Sequence, residues 1–338
     1  MTDLTIFTAP KPFTNPHIAM IQRNAIRSWK MLGQAGSATA FDRGKAGSAT
    51  DGNPTGAAGS ATAGHLDRVE VVLIGEEEGL AEAALELGVT HLPDVRRNSL
   101  GTPLISSMFD LARQCNASLL LCCINTDIIL LPGFVETAQK IAAQATQFLL
   151  VGQRWDLDVL EALDFSTGWE EQLRSRLRSN GKLHPRGGSD YFVYPRGCFE
   201  HIPEFAIGRA GWDNWMIYEA RQRSWPTIDA TAAIDIIHQS HDYSHLPNGQ
   251  PHYRLPETFE NTRLAGGKRH IFHLVDCDLS VKDGKLAPYP ASWEKFWREV
   301  EIFPLVRLHS EGLGKLFYAL FHPIKAYRDL RTWLKERK

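Results

Sequence analysis

Three short stretches of this chain hold carboxylates in settings that call for a partner. In Ala117–Leu131, ASLLLCCINTDIILL, an apolar run from Leu119 to Ile124 stops at Asn125-Thr126-Asp127, and a second apolar run, Ile128–Leu131, precedes the turn at Pro132-Gly133. The pattern reads as a buried strand that delivers Asp127 to its carboxyl end, which in open α/β sheets is where ligands bind. A carboxylate between two apolar flanks suits a hard divalent cation, Mg²⁺ or Mn²⁺, already carried by a phosphate. The alternative for Asp127 is a cap on the following turn. In GRAGWDNWMIYEARQRSW, Gly211-Trp212-Asp213-Asn214 opens a helix, so Asp213 is either a helix cap or a general base held at a helix start by Trp212 and Trp215. In HPRGGSDYFVYPRG, Asp190 follows two glycines that allow close approach and begins the apolar strand Tyr191–Tyr194. His238 follows the strand Ile234–Ile237 and is either a satisfied loop residue or a metal or phosphate ligand. His241, Asp242 and His245 crowd the same loop with a spacing that matches no zinc signature.

These residues need a sheet to position them. Leu4–Thr8 alternates like a first strand; Ala9-Pro10-Lys11-Pro12-Phe13 is a rigid loop, and a helix is expected over His17–Met31 with Asn15 as cap and Pro16 in its first turn. Val69–Ile74 is a second strand, followed by an acidic turn and a helix through Leu87. Val89–Leu92 is a third strand, leading to a polar loop with Asp94, Arg96, Arg97 and Asn98 and a helix from Leu104 to Cys115. Strand and helix alternate up to the Asp127 strand, and a helix over Gly133–Ala145 and a strand over Phe148–Val151 continue the pattern. The order predicts an α/β fold with a doubly wound, mostly parallel sheet, helices on both faces, and the Thr8-Ala9-Pro10 loop at the same sheet edge as Asp127. Between the first helix and the second strand, AGSAT occurs at Ala35–Thr39, Ala46–Thr50 and Ala58–Thr62. Residues 34–64 therefore read as a low-complexity, disordered insertion without a role in the site.

Composition narrows the classes. At 338 residues with 43% hydrophobic content, the chain can bury a large core, and its formal charge of -2 gives no sign of nucleic-acid binding. Five cysteines, odd in number and without a C-x-x-C pair, argue against a disulfide framework or a zinc knuckle and for a reduced, cytoplasmic setting. MTDLTIFTAP shows no basic, apolar leader, and the central apolar run is too short for a membrane span. From Trp293 to Lys338 aromatics alternate with lysine and arginine, the texture of a basic amphipathic helical tail. Such a tail lies either on an anionic membrane surface or against the main domain with its basic residues in water.

The TAPKPF loop after the first strand, the strand ending in Asn125-Thr126-Asp127, the GGSDYFVYPRG strand and the GWDNW helix, in that order, resemble the nucleotide-sugar-dependent glycosyltransferases of the GT-A fold, in a layout close to the large bacterial family-2 type. The resemblance spans residues 4 to 250 apart from the insertion. It implies a divalent metal, Mn²⁺ or Mg²⁺, at the DxD-like triplet, bridging the diphosphate of the donor, and a carboxylate near the start of the GWDNW helix, Asp213, as base. Asn125 stands where the family usually has its first aspartate, so Asp127 is the ligand position, with His238 as a further one. On the same resemblance Thr8, Ala9, Pro10, Arg97, Asn125 and Thr126 are expected at the donor, and Asp190, Tyr191, Trp212 and His241 at the transferred sugar or the acceptor. Trp155 is a further stacking platform or simply core.

The implied organisation is a donor-binding half over 1–33 and 65–155, an acceptor-binding half of the same domain over 156–290, and the tail over 291–338. The expected activity is metal-assisted transfer of a sugar from a nucleotide-diphosphate donor to a hydroxyl of a glycan, a lipid-linked sugar or a small molecule, in the cytoplasm or at the inner face of the membrane. Two other readings stand beside it: another nucleotide-using transferase such as a nucleotidyltransferase, and a non-catalytic nucleotide- or carbohydrate-binding module. The first of these would carry a glycine-rich, lysine-bearing phosphate loop after the first strand, and Thr8–Phe13 contains no glycine.

Overall fold

The computed structural model describes residues 3–42, 69–240 and 255–336. In chain order the donor side runs β1 (Leu4–Thr8), α1 (Pro16–Asp42), β2 (Val69–Ile74), α2 (Leu80–Leu87), β3 (Thr90–Leu92), α3 (Ile105–Gln114) and β4 (Leu120–Ile124). There follow β5 (Ile128–Leu130), α4 (Phe134–Ala142), β6 (Leu149–Val151), β7 (Trp155–Leu157), α5 (Trp169–Asn180), β8 (Lys182–Leu183) and β9 (Tyr191–Pro195). The remainder is α6 (Trp212–Gln222), β10 (Thr227–Asp229), β11 (Ile236–Gln239), α7 (Pro256–Leu264), β12 (Leu279–Lys282), β13 (Lys285–Pro288), α8 (Trp293–Val306), α9 (Glu311–Phe321) and α10 (Pro323–Glu336).

Among the described residues the main sheet has nine strands in the order β13-β12-β10-β6-β9-β4-β1-β2-β3. β1 pairs in parallel with both β2 and β4, and β6 with β10, so the sheet is wound outward in both directions from its centre. This is the doubly wound, mostly parallel sheet expected from the alternation of elements. Its central strands are short apolar runs buried on both faces, with Phe7, Phe109, Tyr194 and Phe205 in one core layer and Trp29, Phe134, Phe148 and Tyr191 in the other. Besides the edge pair β12–β13, the antiparallel strand is β9, which lies between β4 and β6 and pairs Ile124 with Tyr191. That inversion brings the start of β9 to the edge where β4 ends.

Two features differ from the sequence reading. The strand expected over Leu119–Ile124 is β4, but the run after the triplet, given no element of its own from the sequence, is also a strand: the chain turns through Asn125-Thr126-Asp127, with Ile128 N donating to Asn125 O at 3.2 Å, and β5 enters a second sheet of order β5-β11-β7-β8. Both runs are fully buried, so hydrophobicity alone could not show that they belong to different sheets. The first helix, expected to end near Met31, continues to Asp42 and so carries the chain into the AGSAT-rich stretch, whose remainder lies outside the described residues. All five cysteines are free thiols.

Candidate active site

The carboxyl ends of β1, β4 and β6 and the inverted start of β9 open into one cavity of about 690 Å³. Thr8, Ala9, Pro10 and Lys11 form its wall after β1, Asn125, Thr126 and Asp127 its wall after β4, and Arg154 follows β6. Gly187–Asp190 leads into β9, and Ile207–Asn214 closes the far side with the start of α6. A second cleft of about 450 Å³, between α3 and the 199–204 loop, is lined by Arg96 and Trp215 but by none of the residues expected to bind donor, acceptor or metal.

Asp127 is fixed by main-chain contacts with the second sheet. Its carbonyl accepts from Gln239 N at 3.1 Å, while α1 steadies β5 through Trp29 Nε1 to Ile128 O at 2.9 Å and Ser28 Oγ accepting from Leu130 N at 3.0 Å. In the second sheet His238 of β11 stands in register with Ile128 of β5 on one side and Asp156 of β7 on the other. His238 Nε2 lies 3.8 Å from Asp127 Oδ2, and its Nδ1 lies 2.9 Å from Asp156 Oδ1. The other oxygen of Asp156 meets His184 Nδ1 at 2.9 Å, and Arg154 Nε donates to Asp156 Oδ1 at 3.0 Å. Burial opposes the charge on Asp156, but the hydrogen bond from His184 and the charge of Arg154 outweigh it and hold the carboxyl below its ordinary range.

Arg154 joins this row to a second one. Its Nη1 reaches both carboxylate oxygens of buried Asp190, at 2.9 and 3.0 Å. Although burial works against its charge, Asp190 and Asp156 raise the affinity of Arg154 for its proton. Asn125 completes the set, donating from Nδ2 to Asp190 Oδ1 at 2.8 Å and from its main-chain N to Asp190 O at 3.0 Å. The first residue of the triplet thus serves as a donor to a neighbouring carboxylate, a role an ionised aspartate side chain could not fill. Lys11, between the two prolines of the first loop, is half-buried in the same wall; burial lowers the affinity for its proton and the nearby charge of Asp127 opposes that.

Asp213 faces these groups from the first turn of α6. Gly211, in the left-handed region at φ 110°, caps the helix and donates its N–H to Asp213 Oδ1 at 3.1 Å. Burial pushes the carboxyl of Asp213 up, the N–H groups of Asn214 and Gly211 oppose this, and the charge of Asp190 adds to it. Gly188 lies beside this carboxylate, a Cβ there standing 3.6 Å from Asp213 Oδ2. Trp212 also lines the cavity, its ring tilted against Phe192 at 5.1 Å between centroids.

Ten of the residues expected from the sequence therefore share one cavity: Thr8, Ala9, Pro10, Asn125, Thr126, Asp127, Asp190, Trp212, Asp213 and His238. Two do not line it. Tyr191 is fully buried in β9, edge-on to Phe134 at 5.5 Å, because the alternation that points Asp190 into the cavity points the next side chain into the core. Arg97 lies behind Glu77, to which Nη2 donates at 3.0 Å, and it is Glu77 that lines the cavity. His241 lies outside the described residues, as do Asp242 and His245. Trp155 packs beside the small core of the second sheet. Sequence reading missed Lys11, Arg154, Asp156 and His184 as site residues. The only signal for most of them was a position just past a strand end.

The donor chemistry on the Asp127 wall fits a hard divalent cation shared with a phosphate. When His238 Nδ1 donates to Asp156, Nε2 presents a lone pair toward the Asp127 carboxylate, the arrangement by which carboxylates orient metal-binding imidazoles. Among the described residues no group of three or more His, Cys, Asp or Glu side chains converges as a metal cage. Two protein donors leave the other positions to phosphate oxygens and water, as Mg²⁺ commonly requires.

No family model matches the chain, and no curated protein matches it. Among solved structures it is similar to glucosyl-3-phosphoglycerate synthase of Mycobacterium tuberculosis, at 14% identity and a TM-score of 0.41, over 86% of this chain and 88% of that one. The same synthase in complex with Mn²⁺, uridine-diphosphate-glucose and phosphoglyceric acid gives 12% and 0.40 over the same shares. A mannosyltransferase of Pyrobaculum calidifontis in complex with GDP-Man and Mn²⁺ is similar at 8% identity and a TM-score of 0.37, over 71% of this chain and 58% of that one. Likeness of this size assigns no residue and no substrate.

Proposed function

We propose that the chain is a glycosyltransferase that moves a sugar from a nucleotide diphosphate to a hydroxyl acceptor with the help of Mn²⁺ or Mg²⁺. The observation that carries this reading is the division of one cavity into two walls. Asp127 and His238, with Lys11 and Arg154, make a cation- and phosphate-binding wall, and Asp213, with its raised proton affinity, faces it from α6. Asp127 and His238 would hold the divalent ion, whose contribution when bound is to neutralise charge on the departing diphosphate. Lys11 supplies positive charge beside the same phosphates. Glu77, which lines the cavity and is held by Arg97, accepts from the nucleotide.

Asp213 removes the proton from the attacking hydroxyl, a task helped by a carboxyl that holds its proton more tightly than an exposed aspartate does. Asp190, held by Arg154 and Asn125, orients sugar hydroxyls, and Trp212 offers an apolar face for a ring. The acceptor side includes Arg209, tied to Glu257 at 2.7 Å, and the acceptor is a glycan, a lipid-linked sugar or a small molecule. Free thiols and a nucleotide-sugar donor both suit a cytoplasmic setting. The test is hydrolysis of UDP-, GDP- and dTDP-sugars by the full chain with Mn²⁺. At least one donor is turned over by the wild type and none by Asp127→Ala; turnover that survives in Asp127→Ala, or none with any donor although nucleotide binds, refutes the reading.

A further inference from the structure

The carboxyl-terminal helices pack some of their apolar side chains inward and leave others facing outward. α8 is held by buried and half-buried ion pairs: Arg298 Nε to Asp276 Oδ1 at 2.7 Å and Arg221 Nη2 to Glu299 Oε2 at 2.9 Å, with Ile302, Leu305 and Val306 packed beneath. α9 is seated on it through Gly314, where a Cβ would meet Leu305 Cδ2 at 2.2 Å. Glu311 reaches Arg269 at 2.6 Å and His270 at 3.0 Å, and His322 reaches Glu301 at 3.0 Å. The helices are thus docked parts of the fold.

Yet Trp293 is 77% exposed, Leu320 65% and Ile324 73%, and Trp297, Leu316 and Tyr327 are exposed as well. The rings form a continuous strip, with centroids 5.8 Å apart for Trp293 and Phe296, 5.2 Å for Phe296 and Trp297, and 6.3 Å for Trp297 and Phe321. A soluble helix packs its apolar stripe inward, so an outward one marks an interaction face. Charge identifies the partner. From Leu313 to Lys338 the sequence has seven basic residues and two acidic ones, although the whole chain carries a formal charge of -2. Lys315, Lys325, Arg328 and Arg331 are exposed on the same helices. A second copy of this chain on the same face would set these cations against their equivalents, whereas an anionic surface neutralises them.

We propose that the outward face of α8, α9 and α10 docks on an anionic lipid bilayer, with the aromatic and leucine strip in the interface and the basic residues at the headgroups. Among the described residues no helix is long and apolar enough to cross a membrane, so the contact is peripheral. The inference is independent of the reading of the cavity, and its test uses no donor. The full chain is sedimented with vesicles of phosphatidylcholine alone or of phosphatidylcholine and phosphatidylglycerol in equal parts, at low and high salt. Sedimentation is expected with the mixed vesicles at low salt and is weakened by salt. Lys325→Ala with Arg328→Ala should lower the partition coefficient about thirtyfold, from about 1 kcal/mol per basic residue. Leu316→Glu with Leu320→Glu should abolish it. All four side chains are exposed, so the variants should keep the wild-type circular dichroism. Failure to bind mixed vesicles at low salt, or binding that ignores both pairs of substitutions, overturns the proposal. So does a concentration-dependent dimer that Leu316→Glu with Leu320→Glu dissociates while vesicle binding persists, since a second copy would then cover the face.

Discussion

Asn125→Asp, the substitution that would restore an aspartate at the start of the triplet, should destabilise this protein. Asn125 Nδ2 donates to Asp190 Oδ1 at 2.8 Å, and Asp190 is 7% exposed with Arg154 already on both its oxygens. An aspartate would remove a hydrogen bond to a charged group, about 1.5–3 kcal/mol, and set two carboxylates side by side. At about 3 Å and an effective dielectric of about 20 their repulsion is about 5 kcal/mol. Rotation of the new side chain into the open cavity and its attraction to Arg154 recover part of this, leaving an expected loss of about 2–4 kcal/mol near neutral pH. Asn125→Ala removes the donor without adding a charge and should cost about 1–2 kcal/mol at any pH. The pH dependence separates the two. In Asn125→Asp the folded state gains by keeping a proton between the two carboxyls that the unfolded chain releases, so the deficit is small at the acid end of the carboxylate range and grows as pH rises. Urea midpoints of the wild type and both variants from acid to mildly alkaline pH give the measurement. A variant as stable as wild type at alkaline pH, or a deficit that does not change with pH, would show that Asn125 is not held against a charged Asp190.

Asp213→Asn should leave nucleotide affinity in a calorimetric titration intact while transfer falls by about two to four orders of magnitude. Because burial raises the proton affinity of Asp213, the acid limb of the wild-type kcat profile should lie above the ordinary aspartate range, activity falling as pH drops through it; a variant that keeps that limb points to another base. Asp156→Ala removes the acceptor from His238 Nδ1 and should weaken Mn²⁺ binding in the presence of UDP about 10- to 100-fold, read by the spin-resonance signal of free Mn²⁺. An unchanged Mn²⁺ affinity would mean that His238 does not depend on Asp156 for its orientation.

The parts of the site that were legible in the sequence are those fixed by a single strand and its loop. β1 with Thr8-Ala9-Pro10 and the run into Asn125-Thr126-Asp127 each announce themselves by an apolar stretch that ends in polar residues, and a parallel sheet then places them at one edge. What depends on pairing between distant strands was not legible. His238 and Asp156 are 82 residues apart, and only the register of β11 against β7 and β5 makes them neighbours of each other and of Asp127. Periodicity also fails where a strand is buried on both faces: Tyr191 through Tyr194 are all buried, so nothing in that run tells a cavity-facing side chain from a core one.

The inverted strand β9 has a consequence that a wholly parallel sheet could not have. Had β9 run parallel to β4, its polar start would lie at the opposite edge of the sheet, more than a strand length from Asp127. Antiparallel, it returns Asp190 to the side of Asn125 across 65 residues of sequence and brings the Gly187-Gly188 loop beneath Asp213. A carboxylate at that point would be a liability, since Asp127 and Asp213 already bring negative charge to the same cavity. Arg154, at the end of the other neighbouring strand, and the amide of Asn125 together neutralise and orient it. Asparagine at position 125 follows from that geometry: the side chain beside an inverted strand that starts with a buried aspartate donates a hydrogen bond to it, and in the proposed reading the cation is left to Asp127 and His238.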